Sequence, residues 1–433
     1  VQHPTIGPPF LDKTTVIDAN AGKGFMQGGT LPNPEEPSVM WPQALKRDGT
    51  AVNLRQFSDN SDPGVVSFVI DAEWGEGLIR SWNELPGGGG DWIAMPQRVG
   101  AKIAPLVGAQ AHEVIACDSV SVNLAKLIGA ALSLNPDRNV VLSEPGNFPT
   151  DLYIIQGQPQ VEQRLAERDK MIDALRPENG GRDVALLLLT HVHYKTGEMF
   201  DMERLTKAAH DVGAIVLWDL SHSGGAVPVD LNGANADLAV GCGYKYLNGG
   251  PGSPAFLYVN ADRTDLQNPV RGWYGSDDPM GFGFDAGPAA GASRFLTGTP
   301  PILSTVLVEP GVDLILEAGI DRLRAKSVAL TERFVALVDL HLAPLGFGVQ
   351  SPRDPAQRGS HVSLRHDAAQ AVSQALVNEA RVITDSRPPD LIRFGFAPLY
   401  IGFADVDEAV RRTAEVVESG GIDRWRGVQS VVP

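Results

Sequence analysis

The feature that most constrains this fold is a set of short, uniformly apolar runs separated by helical stretches. Ala185-Leu-Leu-Leu-Leu-Thr190, Ala214-Ile-Val-Leu-Trp218 and Asp237-Leu-Ala-Val-Gly241 lack polar alternation, so each reads as a strand buried on both faces. Between the first two, Asp201 to Val212 has a helical period and stops at Gly213. Strands of this kind joined through helices build a mainly parallel sheet, with reacting groups expected at the strands' carboxyl ends. The same pattern gives a helix over Ser121 to Leu132, a strand at Asn139-Val-Val-Leu-Ser143 and a proline-interrupted helical stretch from Asp91 to a stop at Gly108.

Composition changes on either side of this region. Residues 1–70 are rich in Gly, Pro and Asn and show no period, which reads as an irregular N-terminal arm. A large domain is expected over 71–305. A long linking helix and a small C-terminal α+β domain are expected over 306–433. The helical text runs from Thr305 to Leu342 with a break near Pro310. Ser360 to Arg365, Asp367 to Ala380, Ile392 to Phe396 and Asp405 to Glu418 then read as strand, helix, strand, helix.

The chain has 433 residues, 43% hydrophobic and 20% charged, enough to bury a sizeable core in two or more domains. Its 36 Lys and Arg against 52 Asp and Glu give a formal charge of −16, which disfavours a nucleic-acid or anionic-membrane surface. Cys117 and Cys242 cannot form a disulfide framework, and no zinc-ligand spacing is present, so a reducing cytosol is the expected compartment. No run approaches the roughly 18 apolar residues of a membrane span, and Val1-Gln2-His3-Pro4 lacks a signal-peptide pattern.

Two strand ends carry the chemistry. Asp219 closes the apolar run at Trp218, where an unpaired buried carboxylate is expensive and calls for a cationic partner. The protonated pyridine nitrogen of pyridoxal 5′-phosphate (PLP) is such a partner, and an Asp there lets the ring act as an electron sink. Lys245 follows the next apolar run, and partial desolvation near cationic groups would make its amine a nucleophile. Read singly, a strand-end Asp is usually a cap and a Lys before Asn-Gly-Gly-Pro-Gly a solvated loop. Their placement after consecutive strands favours a shared cofactor. His191 and His193 share a strand face, but no third ligand accompanies them, so no metal is expected. The glycines at 87–90 and 249–252 do not fit a dinucleotide fingerprint.

The run Asp219-Leu-Ser-His222 followed by Tyr244-Lys245-Tyr-Leu-Asn-Gly-Gly-Pro-Gly252 resembles the kynureninase family, within the fold-type-I, class-V aminotransferase superfamily. Glu73-Trp-Gly-Glu-Gly-Leu-Ile-Arg-Ser-Trp82-Asn83, Asn147-Phe148-Pro-Thr-Asp151-Leu-Tyr153 and Thr190-His-Val-His-Tyr-Lys-Thr-Gly197 extend the likeness. So do Gly272-Trp273-Tyr-Gly, Gly298-Thr299-Pro-Pro-Ile302, Arg358-Gly-Ser-His-Val362 and Arg393-Phe-Gly-Phe-Ala-Pro-Leu-Tyr400, so that it covers roughly 71–403.

The resemblance implies a PLP-transferase fold of type I, with PLP held as a Schiff base on Lys245. It implies a phosphate cup at Val120 and Ser121, where a helix start offers free N–H groups. Phe148 is expected on the ring face, Asp151 and Thr190 at the ring's polar edge, and Asp219 and His222 at the cofactor. Tyr244 is expected to touch the phosphate and transfer protons. Arg393 is expected to grip the substrate carboxylate, a task suited to a guanidinium. Trp273 and Thr299 would complete the site across a homodimer, with Thr299 and Trp82 also facing substrate. The implied reaction is hydrolysis of L-kynurenine to anthranilate and L-alanine in tryptophan catabolism. Gly298, Thr299 and Trp82 resemble the kynurenine-preferring bacterial form.

Three other readings keep parts of this pattern. Residues 25–70 have no counterpart in the family, which leaves room for a modified kynurenine or another β-acyl amino acid. A cysteine desulfurase would need a mobile active-site cysteine, which neither Cys117 nor Cys242 suits. A PLP-binding protein without catalysis could dispense with Arg393 and Tyr244, yet both are present.

Overall fold

The computed structural model describes residues 21–26, 38–40, 43–45, 51–53, 66–70, 93–279, 281–283 and 285–428. The chain divides into two compact units, Val1–Ala94 and Met95–Pro433. In the first, β1 (Ala21–Met26) pairs antiparallel with β2 (Ser38–Met40) and, on its other edge, with β5 (Val66–Ile70), while β3 (Gln43–Leu45) pairs with β4 (Ala51–Asn53). These strands occupy the stretch read as an irregular arm. At three to six residues each, they offer too few positions for a period to show.

The second unit opens with α1 (Met95–Ile103), which tightens into a single 3₁₀ turn and stops at Gly108 in the left-handed region (φ 65°). Then follow β6 (Val114–Cys117), α2 (Val120–Leu134), β7 (Val140–Ser143), α3 (Pro149–Gln156), β8 (Glu162–Leu165), α4 (Met171–Ala174) and β9 (Val184–Thr190). After these come α5 (Met202–His210), β10 (Ile215–Asp219), β11 (Leu238–Cys242) and β12 (Ala255–Val259). The seven strands form one sheet in the order β6-β12-β11-β10-β9-β7-β8. Strands β8, β7, β9, β10 and β11 run parallel, and β12 alone is antiparallel to both its neighbours.

Every residue of β9, β10 and β11 is buried, so both faces of the sheet are covered. Edge strand β8 is only partly buried and carries Glu162 and Arg164, a composition that discourages pairing with another chain. The register sets Asp219 opposite Thr190 on β9 and Val240 on β11, so these carboxyl ends are level. Because β6 runs the same way as β9–β11, the start of α2 emerges at that edge too. The loop carrying Lys245 curls back on itself, with Gly243 N–H donating to Pro254 O and Gly249 N–H to Gly243 O. A Cβ at Gly243 would lie 2.4 Å from Pro254 O, so this close approach requires glycine.

Three helices follow, α6 (Ile302–Val306), α7 (Val308–Ala318) and α8 (Ile320–Leu337). The expected break near Pro310 falls at Leu307. Pro310 lies in the first turn of α7, where a missing N–H costs nothing, and the chain bends instead at Leu307 and at Gly319 (φ 82°). The small sheet, β13 (Gly348–Val349), β14 (His361–Arg365), β15 (Asp385–Arg387) and β16 (Leu391–Gly395), is antiparallel in the order β13-β14-β16-β15. It packs with α9 (Ala369–Asn378) and α10 (Phe403–Glu418) around a core that includes Phe334, Leu364, Val372, Phe394 and Phe396.

Candidate active site

Two cavities meet at the carboxyl edge of the large sheet. The inner one, about 120 Å³, is bounded by the start of α2, the start of α3 and the ends of β9 and β10. The outer cleft, about 840 Å³, lies between that edge and the small sheet. His222, Tyr244 and Lys245 line both, so the lysine amine stands where the two spaces join.

Each wall of the inner cavity has a local cause. Ser119 caps α2 by accepting from Val122 N–H at 3.3 Å, which turns the first N–H groups of Val120 and Ser121 toward the space. The turn before it holds Asp118 in a left-handed conformation (φ 48°), tied to the buried ammonium of Lys126 at 2.6 Å. Lys126 also donates to Phe295 O at 2.6 Å. Asn147 accepts from Phe148 N–H at 2.8 Å and from the Thr190 hydroxyl, fixing Phe148 at the cavity wall. The Phe148 ring meets Tyr194 edge-on, centroids 5.2 Å apart.

The polar groups facing this space are under-partnered. Asp219 accepts from Ser221 N–H at 2.7 Å and is buried at the end of β10. Both Asp151 oxygens and the Ser253 hydroxyl are buried without a hydrogen-bond partner. Burial pushes the Asp151 and Asp219 carboxyls above the usual carboxylate range, each against the opposing pull of Lys245. A flat aromatic cation carrying a phosphate would answer these groups: anion at the α2 start, cation at the carboxylates, ring against Phe148, aldehyde at Lys245. The residues present therefore fit PLP.

In the outer cleft, Arg393 on β16 donates to Asp385 at 2.5 Å and to Tyr194 O at 2.6 Å. Arg387 shares the same carboxylate at 3.2 Å. Tyr244 is half-exposed, and burial pushes its phenol up to about 12, so it stays protonated and able to donate. Burial, reinforced by Lys245, holds His222 well below the usual imidazole range and hence neutral.

Of the residues singled out in the sequence, the cavities bring together Val120, Ser121, Phe148, Asp151, Thr190, Asp219, His222, Tyr244, Lys245 and Arg393. Trp273 and Thr299 line neither cavity; Trp273 stands beside Tyr274 and Phe282, and Thr299 is exposed. Trp82 lies outside the described residues. The sequence reading misses Ser253 and Ser221 in the inner space and His361 and Asp385 in the outer one. Tyr194 and His361 fall inside family-like stretches, which was the available signal, whereas Ser253 carries none. Among the described residues, no three His, Cys, Asp or Glu side chains converge as a metal site requires. His191 Nδ1 is instead 2.9 Å from the Ser223 hydroxyl, and His193 Nδ1 takes Thr196 N–H at 3.2 Å.

Comparison with known proteins matches residues 323–413 to the kynureninase C-terminal domain model. A kynureninase of Burkholderia mallei is 46% identical over 365 residues, covering 83% of this chain and 85% of that protein. One from Deinococcus radiodurans is 45% identical over 361 residues, covering 82% and 86%. The chain belongs to the kynureninase family. Solved structures agree on the fold. A cysteine desulfurase from Thermococcus onnurineus superposes with TM-score 0.66 at 19% identity, covering 78% of this chain and 87% of that one. A C-DES variant with glycine covalently linked to the PLP cofactor gives 0.62 at 18%, covering 75% and 85%. The fold is therefore PLP-dependent fold type I, as the kynureninase resemblance implies. At these identities the desulfurase likeness concerns the fold alone. Both cysteines here are buried, and burial pushes the Cys117 thiol up to about 12, which suits neither to attack a substrate.

Proposed function

We propose that this chain hydrolyses the Cβ–Cγ bond of L-kynurenine, releasing anthranilate and L-alanine, with PLP on Lys245. The observation that carries this reading is Lys245 at the junction of an inner pocket, lined by Asp219, Asp151 and Phe148, and a larger outer cleft that holds Arg393. When bound, PLP supplies an aromatic ring that accepts the charge developing at Cα. The side chains do the rest. Arg393, angled by Asp385 and Tyr194 O, holds the α-carboxylate and so fixes which Cα bond faces the ring. Lys245 Nζ takes the Cα proton. Water adds at the γ-ketone, the electron pair of the breaking Cβ–Cγ bond goes to Cβ, and Tyr244, protonated at neutral pH, gives the proton to Cβ while Cγ leaves as the anthranilate carboxylate. Val120 and Ser121 N–H groups hold the phosphate, Phe148 the ring face, and Asp151, Thr190 and His222 the ring's polar edge.

The same reading makes the active form a homodimer, with Trp273 and Thr299 entering the site of the second subunit and Trp82 joining the substrate wall. The position of Trp273 and Thr299 outside the cavities of their own subunit supports this. The reading also keeps 71–305 and 306–433 as the large and small domains and puts the protein in the cytosol. No helix among the described residues is long and apolar enough to cross a membrane.

Purified protein supplied with PLP and kynurenine is expected to give anthranilate fluorescence and one alanine per anthranilate. Yellow holoenzyme that yields neither would reject kynurenine as substrate and favour another β-acyl amino acid. A kcat/KM higher for 3-hydroxykynurenine than for kynurenine would refute the bacterial-type preference.

A further inference from the structure

Among the polar side chains lining the outer cleft, buried His361 has no role in the reading above. His361, the first residue of β14, is 2% exposed, lines the cleft with Lys245, Tyr244 and Arg393, and packs its ring 5.3 Å from His222. Neither ring nitrogen reaches a hydrogen-bond partner of ordinary geometry, and the His193 backbone supplies only a weak polar contact that favours the ring's protonated form. A buried imidazole so poorly paired loses most of its hydration without compensation unless a ligand supplies a partner.

The register shows where such a ligand would lie. His361 stands opposite Gly395, and Ser363 opposite Arg393, so His361 and Arg393 share a sheet face one same-face step apart. That step is roughly 7 Å along the strands, from a rise of about 3.4 Å per residue. A Cβ on Gly395 would meet nothing within 4 Å, so the space over the strand at His361 is open. With its carboxylate on Arg393 and its Cα at Lys245, an amino acid bearing a γ-ketone extends along this step.

We infer that His361, beside His222, seats the oxygen at the substrate's γ-carbon. The assignment rests on the proposed kynurenine reaction and adds a positioning residue to it. A neutral imidazole suits the task because it presents one donor and one acceptor, matching either the carbonyl or the water that adds to it. Burial, followed by the nearby Arg393, holds His361 well below the usual imidazole range, in keeping with the neutral form.

The test compares two reactions of the holoenzyme. Kynurenine cleavage uses the γ-oxygen, whereas exchange of the L-alanine α-proton in D2O, followed by NMR, uses the carboxylate, the amine and Lys245 but has no γ-oxygen. His361→Phe is expected to lower kcat for kynurenine about a hundredfold, the size of losing one oriented hydrogen-bonding group at a reacting oxygen, with alanine exchange unchanged. His361→Gln, which retains a donor and an acceptor, is expected to recover part of the kynurenine rate. Parallel loss of both reactions in both variants, or an unchanged kynurenine rate, overturns the assignment. Wild-type enzyme that exchanges alanine but releases no anthranilate overturns the kynurenine reading itself, and this assignment with it.

Discussion

Replacing Asp151 with asparagine separates the demands of folding from those of cofactor binding. Asp151 is 1% exposed, both its oxygens lack partners, and Asp219 adds repulsion to the cost of burial. Leaving a buried polar group unsatisfied costs about 1–3 kcal/mol. Its place in the first turn of α3 returns about 0.3–1 kcal/mol through the helix dipole. Asparagine leaves neutral atoms unpaired in the same place, but a charged orphan costs more than a neutral one, so removing the charge should stabilise the cofactor-free protein by about 1–2 kcal/mol. The unit Met95–Pro433 has an unfolding entropy of roughly 0.7 kcal/mol/K at about 2.1 cal/mol/K per residue, so the gain is about 1.5–3 °C in Tm. The sign depends on pH. The folded carboxyl titrates above its unfolded value, so the wild type bears no charge penalty below about pH 4 and acquires it as pH rises through the folded pKa. Thermal melts of cofactor-stripped protein should therefore coincide at pH 4 and diverge in favour of the variant at pH 8. With PLP added the order should reverse, because the wild type gains the larger ligand-linked stabilisation. A stripped variant that melts at or below the wild type at pH 8 refutes the reasoning.

Three further outcomes are expected. Burial holds His191 and His193 near pH 4, below the unfolded value of 6.5, so stability should fall as pH drops from 6.5 to 4, by up to about 3 kcal/mol for each histidine. Urea melts across that range check it, and a flat profile contradicts it. Arg393→Lys should lower kcat/KM for kynurenine by about 10²-fold, mainly through KM, because an ammonium cannot make the forked contact; steady-state kinetics decide, and an unchanged KM counts against a carboxylate role. Lys245→Ala and Trp273→Ala proteins, each inactive alone, should release anthranilate when refolded or co-expressed together, and persistent inactivity of the mixture argues against sites shared across a dimer.

The central strands are legible because burial on both faces leaves short apolar runs, such as Leu186 to Leu189, bounded by polar residues within a strand's length. Strand β12 escaped because its apolar run, Ala255-Phe-Leu-Tyr-Val259, directly follows the glycine-rich loop and reads as that loop's continuation. The polar edge strand β8 escaped for the opposite reason, being too exposed to carry a pattern. At the site, Asp219 and Lys245 could be read because parallel strands deliver their carboxyl ends to one line. Ser253 could not, since it arrives only through the curled loop between Gly243 and Pro254. His361 arrives from a different sheet altogether, at a sequence distance where periodicity says nothing about proximity.

Among the described residues, the inner and outer cavities have just three side chains in common. Their remaining walls come from separate layers, one built by the parallel sheet and α2, the other largely by α9 and the small sheet. Substrate choice can then drift by mutation of Gln374, Asn378 or Ile383 while the vitamin-derived ring keeps its grip, which is how one scaffold can serve many amino-acid chemistries.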